Sequence, residues 1–255
     1  MPRSSRVASS TGIYHVLLRG INQQRLFEDE SDYRFFLNKL AEFRQQGSFE
    51  LFAYCLLSNH VHLLVRERLD SLSLLFKRMG TSYAYYFNKK YARSGHLFQD
   101  RYKSEPVQDD AYLVNVIRYI HQNPVLAGIC DDAFSYQWSS LYALGGADSI
   151  IDEEELFLLV SGNDIRSLAQ ASAAEPFKTG TRGRRSRHTE AEAVSLMEGI
   201  SGTKTTSQFH RLTKAQQIEA VCQLREQGIS IRQVARICGL SKGLVERWAA
   251  EGNRT

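Results

Sequence analysis

The chain has 255 residues, of which 43% are hydrophobic, 24% charged and four proline, a balance that excludes disorder as the general state. No apolar run approaches the roughly 20 residues needed to cross a bilayer, and the opening Met-Pro-Arg-Ser-Ser-Arg lacks the apolar stretch of a secretory signal. Cys55, Cys130, Cys222 and Cys238 are widely spaced and form no C-x-x-C pair, which argues against structural zinc or a disulfide framework and points to a reducing cytoplasm.

In chain order, Ile13–Leu18 reads as a strand, closed by Arg19-Gly20. Ser31 is the expected cap of a helix whose apolar face takes Phe35, Phe36, Leu40 and Phe43, and Gly47 stops it. Phe49–Leu57 and His60–Arg66 read as two strands joined at Ser58-Asn59. Leu72–Lys90 is an amphipathic helix with Leu75, Met79, Tyr83 and Tyr86 on one side. The stretch from His96 to Val107 is strand-like. Asp109 caps a third helix that runs through Tyr119 to about Gln122, where Pro124 is expected to close it. This order predicts an α+β fold: a ferredoxin-like antiparallel sheet with helices on one side.

After Gly145-Gly146 the texture changes. Glu153–Val160 predicts a short helix, Ala171–His188 reads as a basic linker, and helical periodicity resumes near Leu212. The expected organisation is residues 1–145 as one domain, 146–200 as a helical extension with linker, and 201–255 as an all-α domain. In that last segment Val234, Ala235 and Cys238 make the inner face of one helix, Gly239 the turn, and Ser241 the cap of a second helix whose core residues are Val245 and Trp248. Ile218, Val221, Cys222 and Leu224 on the preceding helix complete a three-helix bundle of helix-turn-helix type. Such a unit puts the start of its second helix nearest the bases, here Ser241, Lys242 and Gly243, with Arg247 able to reach phosphate.

Charge is segregated along the chain. Between Phe76 and Lys103 seven basic residues stand against Asp100 alone, Arg182, Arg184, Arg185 and Arg187 cluster further on, and Asp148 with Asp152–Glu155 forms an acidic block. The basic stretches suit a polyanion. Tyr85, Phe87 and Tyr91 are candidates for stacking on unpaired bases, whereas Tyr83 and Tyr86 fit a core better. Arg101 and Lys103, two apart on the expected strand, are candidates for contact with DNA, as is Arg118.

The sharpest local signal is Asn59-His-Val-His-Leu-Leu-Val65. On a strand His60 and His62 share one face and Val61, Leu63 and Val65 the other, and paired imidazoles on a sheet make a two-nitrogen metal clamp. Tyr119 and Asn123 lie one helical turn apart on one face, so a phenol beside an amide oxygen can sit over the histidines. His15 and His121 read as structural, with His121 roughly 200° round the helix from Tyr119.

His60-Val61-His62 resembles the HUH motif of single-strand DNA endonucleases. Together with Tyr14-His-Val, His96-Leu-Phe-Gln-Asp-Arg-Tyr-Lys, Tyr119-Ile-His-Gln-Asn-Pro-Val-Leu-Ala-Gly and Trp138-Ser-Ser, it resembles the single-tyrosine HUH transposases, particularly the REP-associated tyrosine transposases, over residues 8–145. The resemblance implies His60 and His62 as metal ligands, Asn123 as the third ligand where insertion-sequence relatives usually carry glutamine, and Tyr119 as the nucleophile. It also implies a divalent ion, Mg²⁺ or Mn²⁺, and single-stranded DNA with hairpins or palindromic repeats as partner. A cytoplasmic, nucleoid-associated protein acting as monomer or homodimer is the corresponding expectation. Imidazole ligands favour manganese, since magnesium prefers all-oxygen shells. The rival readings are an HUH replication or mobilisation nuclease, a metal-dependent hydrolase, and a non-catalytic DNA-binding regulator.

Overall fold

A computed structural model describes residues 7–69, 71–147, 149–160, 165–170 and 188–252. Strand β1 (Ile13–Arg19) is followed by helix α1 (Glu30–Gln45), β2 (Phe49–Leu57), β3 (His60–Glu67), α2 (Leu72–Lys90), β4 (Lys103–Pro106) and α3 (Asp110–Leu126). The sheet order is β2-β3-β1-β4 with every pair antiparallel, which makes the two histidine-bearing strands, β1 and β3, central. Register places Arg19 opposite His60, Leu17 opposite His62 and His15 opposite Leu64. Because opposed residues share a face, all three histidines lie on the same side of the sheet.

That side is covered by α3, whose Tyr119 ring meets His62 and His15. The opposite row, Val16, Leu18, Val61, Leu63 and Val65, is equally buried, which leaves that face to the α1–α2 pair. The α1–α2 layer is the helical side predicted from sequence, and α3 adds a second layer over the histidines.

Local signals differ from the sequence reading at three points. Asp29, not Ser31, caps α1: its carboxylate accepts from the Ser31 and Asp32 amides in a reciprocal box with Asp32. Pro124 does not close α3. It lies in the last turn, where only its own missing N–H is lost, and the helix runs on to Leu126 while Asn123 Nδ2 donates to the Tyr119 carbonyl at 2.8 Å. The strand expected across His96–Val107 is reduced to β4 and an isolated bridge between Gly20 and Phe98, so Arg101 stands before the strand and only Lys103 is on it.

Short helices α4 (Ser140–Ala143), α5 (Glu153–Leu159) and α6 (Ile165–Gln170) extend the first module. Asp152 fixes this extension, taking a bidentate ion pair from Arg44 at 3.0 and 2.7 Å and the Leu51 amide at 2.8 Å. Ile151, Leu156, Val160 and Ile165 join the main core, so that core reaches past residue 145. The expected linker over residues 171–187, and Asp148 of the acidic block, lie outside the described residues.

Helices α7 (Glu190–Ser201), α8 (Thr206–Phe209), α9 (Lys214–Glu226), α10 (Ile231–Cys238) and α11 (Lys242–Gly252) form a second unit with its own core. Ala193 and Met197 of α7 belong to that core, so the unit begins before residue 201. Gly239 turns the chain between α10 and α11 at φ +66°, and the Ser241 hydroxyl accepts from the Leu244 amide at 3.2 Å. The second unit meets the first where Ser58 Oγ donates to Glu190 at 3.1 Å and the Thr206 amide donates to Glu28 at 3.1 Å. Among the described residues no helix is long and apolar enough to cross a membrane.

Candidate active site

Three imidazoles and one phenol converge between the sheet and α3. The His60 and His62 ring centroids are 5.0 Å apart, His62 and His15 5.1 Å, and Tyr119 stands edge-on to His62 at 5.3 Å. The sheet period of two places His60 and His62 side by side. The helical period places Asn123 one turn beyond Tyr119, and both are buried. Asn123 also hydrogen-bonds His60. Its Nδ2 also donates to the Tyr119 carbonyl at 2.8 Å, so the side chain links the helix turn to the histidine strand. Sequence reasoning thus named four residues that the fold brings together: His60, His62, Tyr119 and Asn123.

His15 is the residue whose role the sequence concealed. Its Nε2 lies 2.9 Å from His62 Nδ1, and both side chains are fully buried. A neutral imidazole that donates from Nδ1 keeps a lone pair on Nε2. His62 Nε2 is buried and has no hydrogen-bond partner among the described residues. On His60, Nδ1 lies 2.6 Å from Asn59 Oδ1, so the side-chain amide and the metal-facing edge are again on different nitrogens. His121 is structural as expected, with Nε2 2.8 Å from Ser140 Oγ, which in turn takes the Tyr54 amide.

Electrostatics favour neutral rings. Burial lowers His15 to about 3. Burial also lowers His60 to about 3, helped by the charges of Arg19 and Arg236 and opposed by the Asn123 hydrogen bond. His62 is held well below its ordinary value by burial and then by the neighbouring His60, His15 and Arg19. The neutral His62 ring with its unsatisfied Nε2, the neutral His60 ring beside it and the Asn123 amide form a donor set that fits one divalent ion.

The candidate DNA contacts are more dispersed. Lys103 begins edge strand β4 opposite Leu17, hence on the histidine face, and is exposed, as is Arg101 in the bend before it. Arg118 is half-buried, with a buried Nε lacking a hydrogen-bond partner. Ser241, Lys242 and Arg247 are exposed along the first half of α11, with Lys242 paired to Glu246 at 3.0 Å. The basic stretch between Phe76 and Lys103 is less available than its charge suggests. Lys90 is held by Asp29 and Asp32 at 2.7 Å, Arg78 lies over the Phe43 ring at 4.8 Å, and Arg93 donates to Gln24 at 2.8 Å. Of its aromatics, Tyr83 and Phe87 are core, Tyr86 stacks on Phe35, Tyr91 bonds to Asp32, and Tyr85 is exposed.

The geometry defines a class of module: an antiparallel α+β sheet with a histidine pair on a central strand and a tyrosine on the helix that covers it. Residues 8–123 match the family described as Transposase IS200 like. The chain is 32% identical over 106 residues to a protein of Haemophilus influenzae assigned as a REP-associated tyrosine transposase. That match takes in 37% of this chain and 60% of the relative's length. The fold is similar, with a TM-score of 0.52 and 16% identity, to a solved REP-associated tyrosine transposase bound to a REP hairpin, covering 72% of this chain and 99% of that one.

Proposed function

We propose that the protein cuts and rejoins single-stranded DNA at hairpin-containing sites, through a covalent 5′-phosphotyrosine on Tyr119. The observation that carries this reading is the placement of the Tyr119 ring against His62, with Asn123 bonded to His60 one turn along the same helix. The family match over residues 8–123 and the hairpin bound by the structural neighbour support it.

His60 and His62 would hold a divalent ion, with Asn123 as third ligand, and such an ion supplies charge stabilisation at a phosphate oxygen. The protein's own part is positional. His15 fixes the tautomer and rotation of His62, Asn59 does so for His60, and α3 presents the phenol. Tyr119 Oη bonds to phosphorus as the bond from phosphorus to the 3′ oxygen breaks, and that oxygen leaves as a 3′-OH. The ester formed retains the energy of the phosphodiester, so a second 3′-OH reverses the attack and joins strands. Exposed basic residues at Lys103, Arg101 and the start of α11 then hold backbone phosphates away from the reacting one.

Denaturing gels of protein incubated with a labelled hairpin oligonucleotide and Mn²⁺ or Mg²⁺ test the proposal. Wild type should give a slow-migrating covalent adduct, and Tyr119→Phe should bind the oligonucleotide but give none. An adduct that persists in the Phe variant refutes the nucleophile. Cleavage without any adduct in wild type makes the protein a hydrolase.

A further inference from the structure

A stack of three aromatic rings lies at a cavity beside the Ser58-Asn59 turn. Phe27 stacks on Tyr33 with centroids 4.3 Å apart and planes at 19°, and Tyr33 stacks on Trp138 at 4.5 Å and 12°. Trp138 is held from behind by the sheet. Its carbonyl accepts the Leu56 amide at 3.0 Å, Ser139 bridges to Cys55, and the Tyr136 hydroxyl donates to the Leu56 carbonyl at 2.6 Å. The platform is therefore as rigid as the end of β2.

The cavity beside this platform measures about 580 Å³ and is lined by Arg25, Tyr33, Ser58 and Trp138 of the first module and by Glu190 and Val194 of α7. That volume is in the range of sites for ligands of nucleotide size. Its polar groups are unequally engaged. Glu190 is taken by Ser58 at 3.1 Å and Arg236 at 2.9 Å. Arg25 Nε is buried without a hydrogen-bond partner among the described residues. The unsatisfied group is thus a cationic donor beside an aromatic floor. Ser58 lies in the β2–β3 turn two residues before His60, so one wall of the cavity is continuous in chain with the strand that carries the histidine pair.

We propose that this cavity receives one unpaired base of the DNA strand, stacked on Trp138 with its acceptor edge toward Arg25. An aromatic face accepts any base, but a guanidinium donor selects one with two acceptors on the presented edge, and guanine offers O6 and N7. Adenine sets an amino group where the donor needs an acceptor. The inference rests on the reading of the protein as a single-strand DNA enzyme and adds to it a base-selective subsite where the first module meets α7.

The test uses the full chain and hairpin oligonucleotides in which an abasic site is walked through the unpaired flanking positions, with affinity read by fluorescence anisotropy. One position should stand out, its loss weakening wild-type binding about tenfold. Trp138→Ala should lose the same factor on the intact oligonucleotide and nothing further on the abasic one. Arg25→Gln should keep the stacking but lose the preference for guanine over adenine at that position. A 2-aminopurine placed there should be quenched on binding to wild type and to Arg25→Gln, which gives a readout that does not depend on Trp138→Ala folding. No privileged position, or an unquenched probe, overturns the cavity assignment even when the Tyr119 adduct forms. Unchanged base preference in Arg25→Gln overturns the choice of guanine. Absence of any oligonucleotide binding by wild type overturns this inference together with the functional reading beneath it.

Discussion

Replacing His15 with leucine should weaken divalent-ion binding while leaving the fold intact. The structure sets the size of the effect. His15 Nε2 is 2.9 Å from His62 Nδ1, and neither residue reaches solvent. A ligating histidine must present Nε2 as a lone pair, which places the ring proton on Nδ1 and requires an acceptor there. Leucine removes that acceptor. The His62 Nδ1–H then has no water to turn to, and leaving a buried donor unmade costs about 1–3 kcal/mol. An acceptor at Nδ1 also fixes the ring's orientation and raises the basicity of Nε2, and it is the metal-bound form that draws on both. The penalty therefore falls on binding, and the expected loss of affinity is about 10–100-fold. Titration with Mn²⁺, followed by calorimetry or by the electron paramagnetic resonance of the free ion, measures it directly without DNA. His15→Gln retains an acceptor oxygen and should recover most of the affinity. A leucine variant that melts like wild type and binds Mn²⁺ equally well refutes the positioning role. Lower stability with unchanged affinity reduces His15 to a packing residue.

Other outcomes follow from local geometry. Gly239→Ala should destabilise the C-terminal unit by about 1 kcal/mol or more, because φ is +66° and an added Cβ meets His210 Nε2 at 3.0 Å and Thr206 at 3.2 Å; hydrogen exchange in α10 and α11 reads the loss, and unchanged protection contradicts it. Burial alone would raise the Asp29 carboxyl, but hydrogen bonds from Lys90, Ser31 and Tyr91 and the charge of Lys90 outweigh it and bring the group down to about 2. The folded value is below the unfolded one, so the stabilisation is present above about pH 4 and lost as pH falls toward 2. Lys90→Met should flatten the acid limb of a urea-denaturation series, and identical acid limbs in both proteins would count against the clamp. Lys242→Gln with Arg247→Gln should lower the salt dependence of DNA affinity by about two phosphate contacts. A slope that does not move would show that α11 faces away from DNA.

What the sequence made legible was whatever depends on one element at a time. Alternation along His60–Val65 fixed which residues face the histidine side, and the i,i+4 spacing fixed Tyr119 with Asn123. The Leu72–Lys90 helix was readable to its ends because Ser71 caps it, accepting from the Leu74 amide. Features that need two elements in register were hidden. His15 is one histidine in an apolar strand until β1 pairs with β3 and puts it diagonal to His62. Lys90 and Arg78 count as surface charge until α1 packs beside α2 and claims them. The helix α7, which lies outside the helix-turn-helix pattern in the sequence, joins the C-terminal core when Ala193 and Met197 meet α9 and α10.

The same distinction explains why the site is assembled where it is. A rigid two-ring clamp needs strands buried on both faces, because only there are both backbone and rotamers fixed by packing, and β1 and β3 are the central pair of the sheet. Burial at that place also keeps the imidazoles neutral near pH 7, so protons compete little for the nitrogens that a cation would take. A nucleophile has the opposite requirement, since it must approach phosphorus along one line and later exchange partners. The helix α3 meets that need by carrying Tyr119 on an element joined to the sheet through side chains, with His121 tied to Ser140 and Asn123 to His60. Loosening those ties is expected to disturb the phenol before it disturbs the clamp. His121→Phe, which removes the Ser140 bond, should therefore slow adduct formation more than it weakens Mn²⁺ binding, since both imidazoles stay on the sheet and only the Asn123 contribution moves with the helix. An equal loss in both would mean that sheet and helix act as one body.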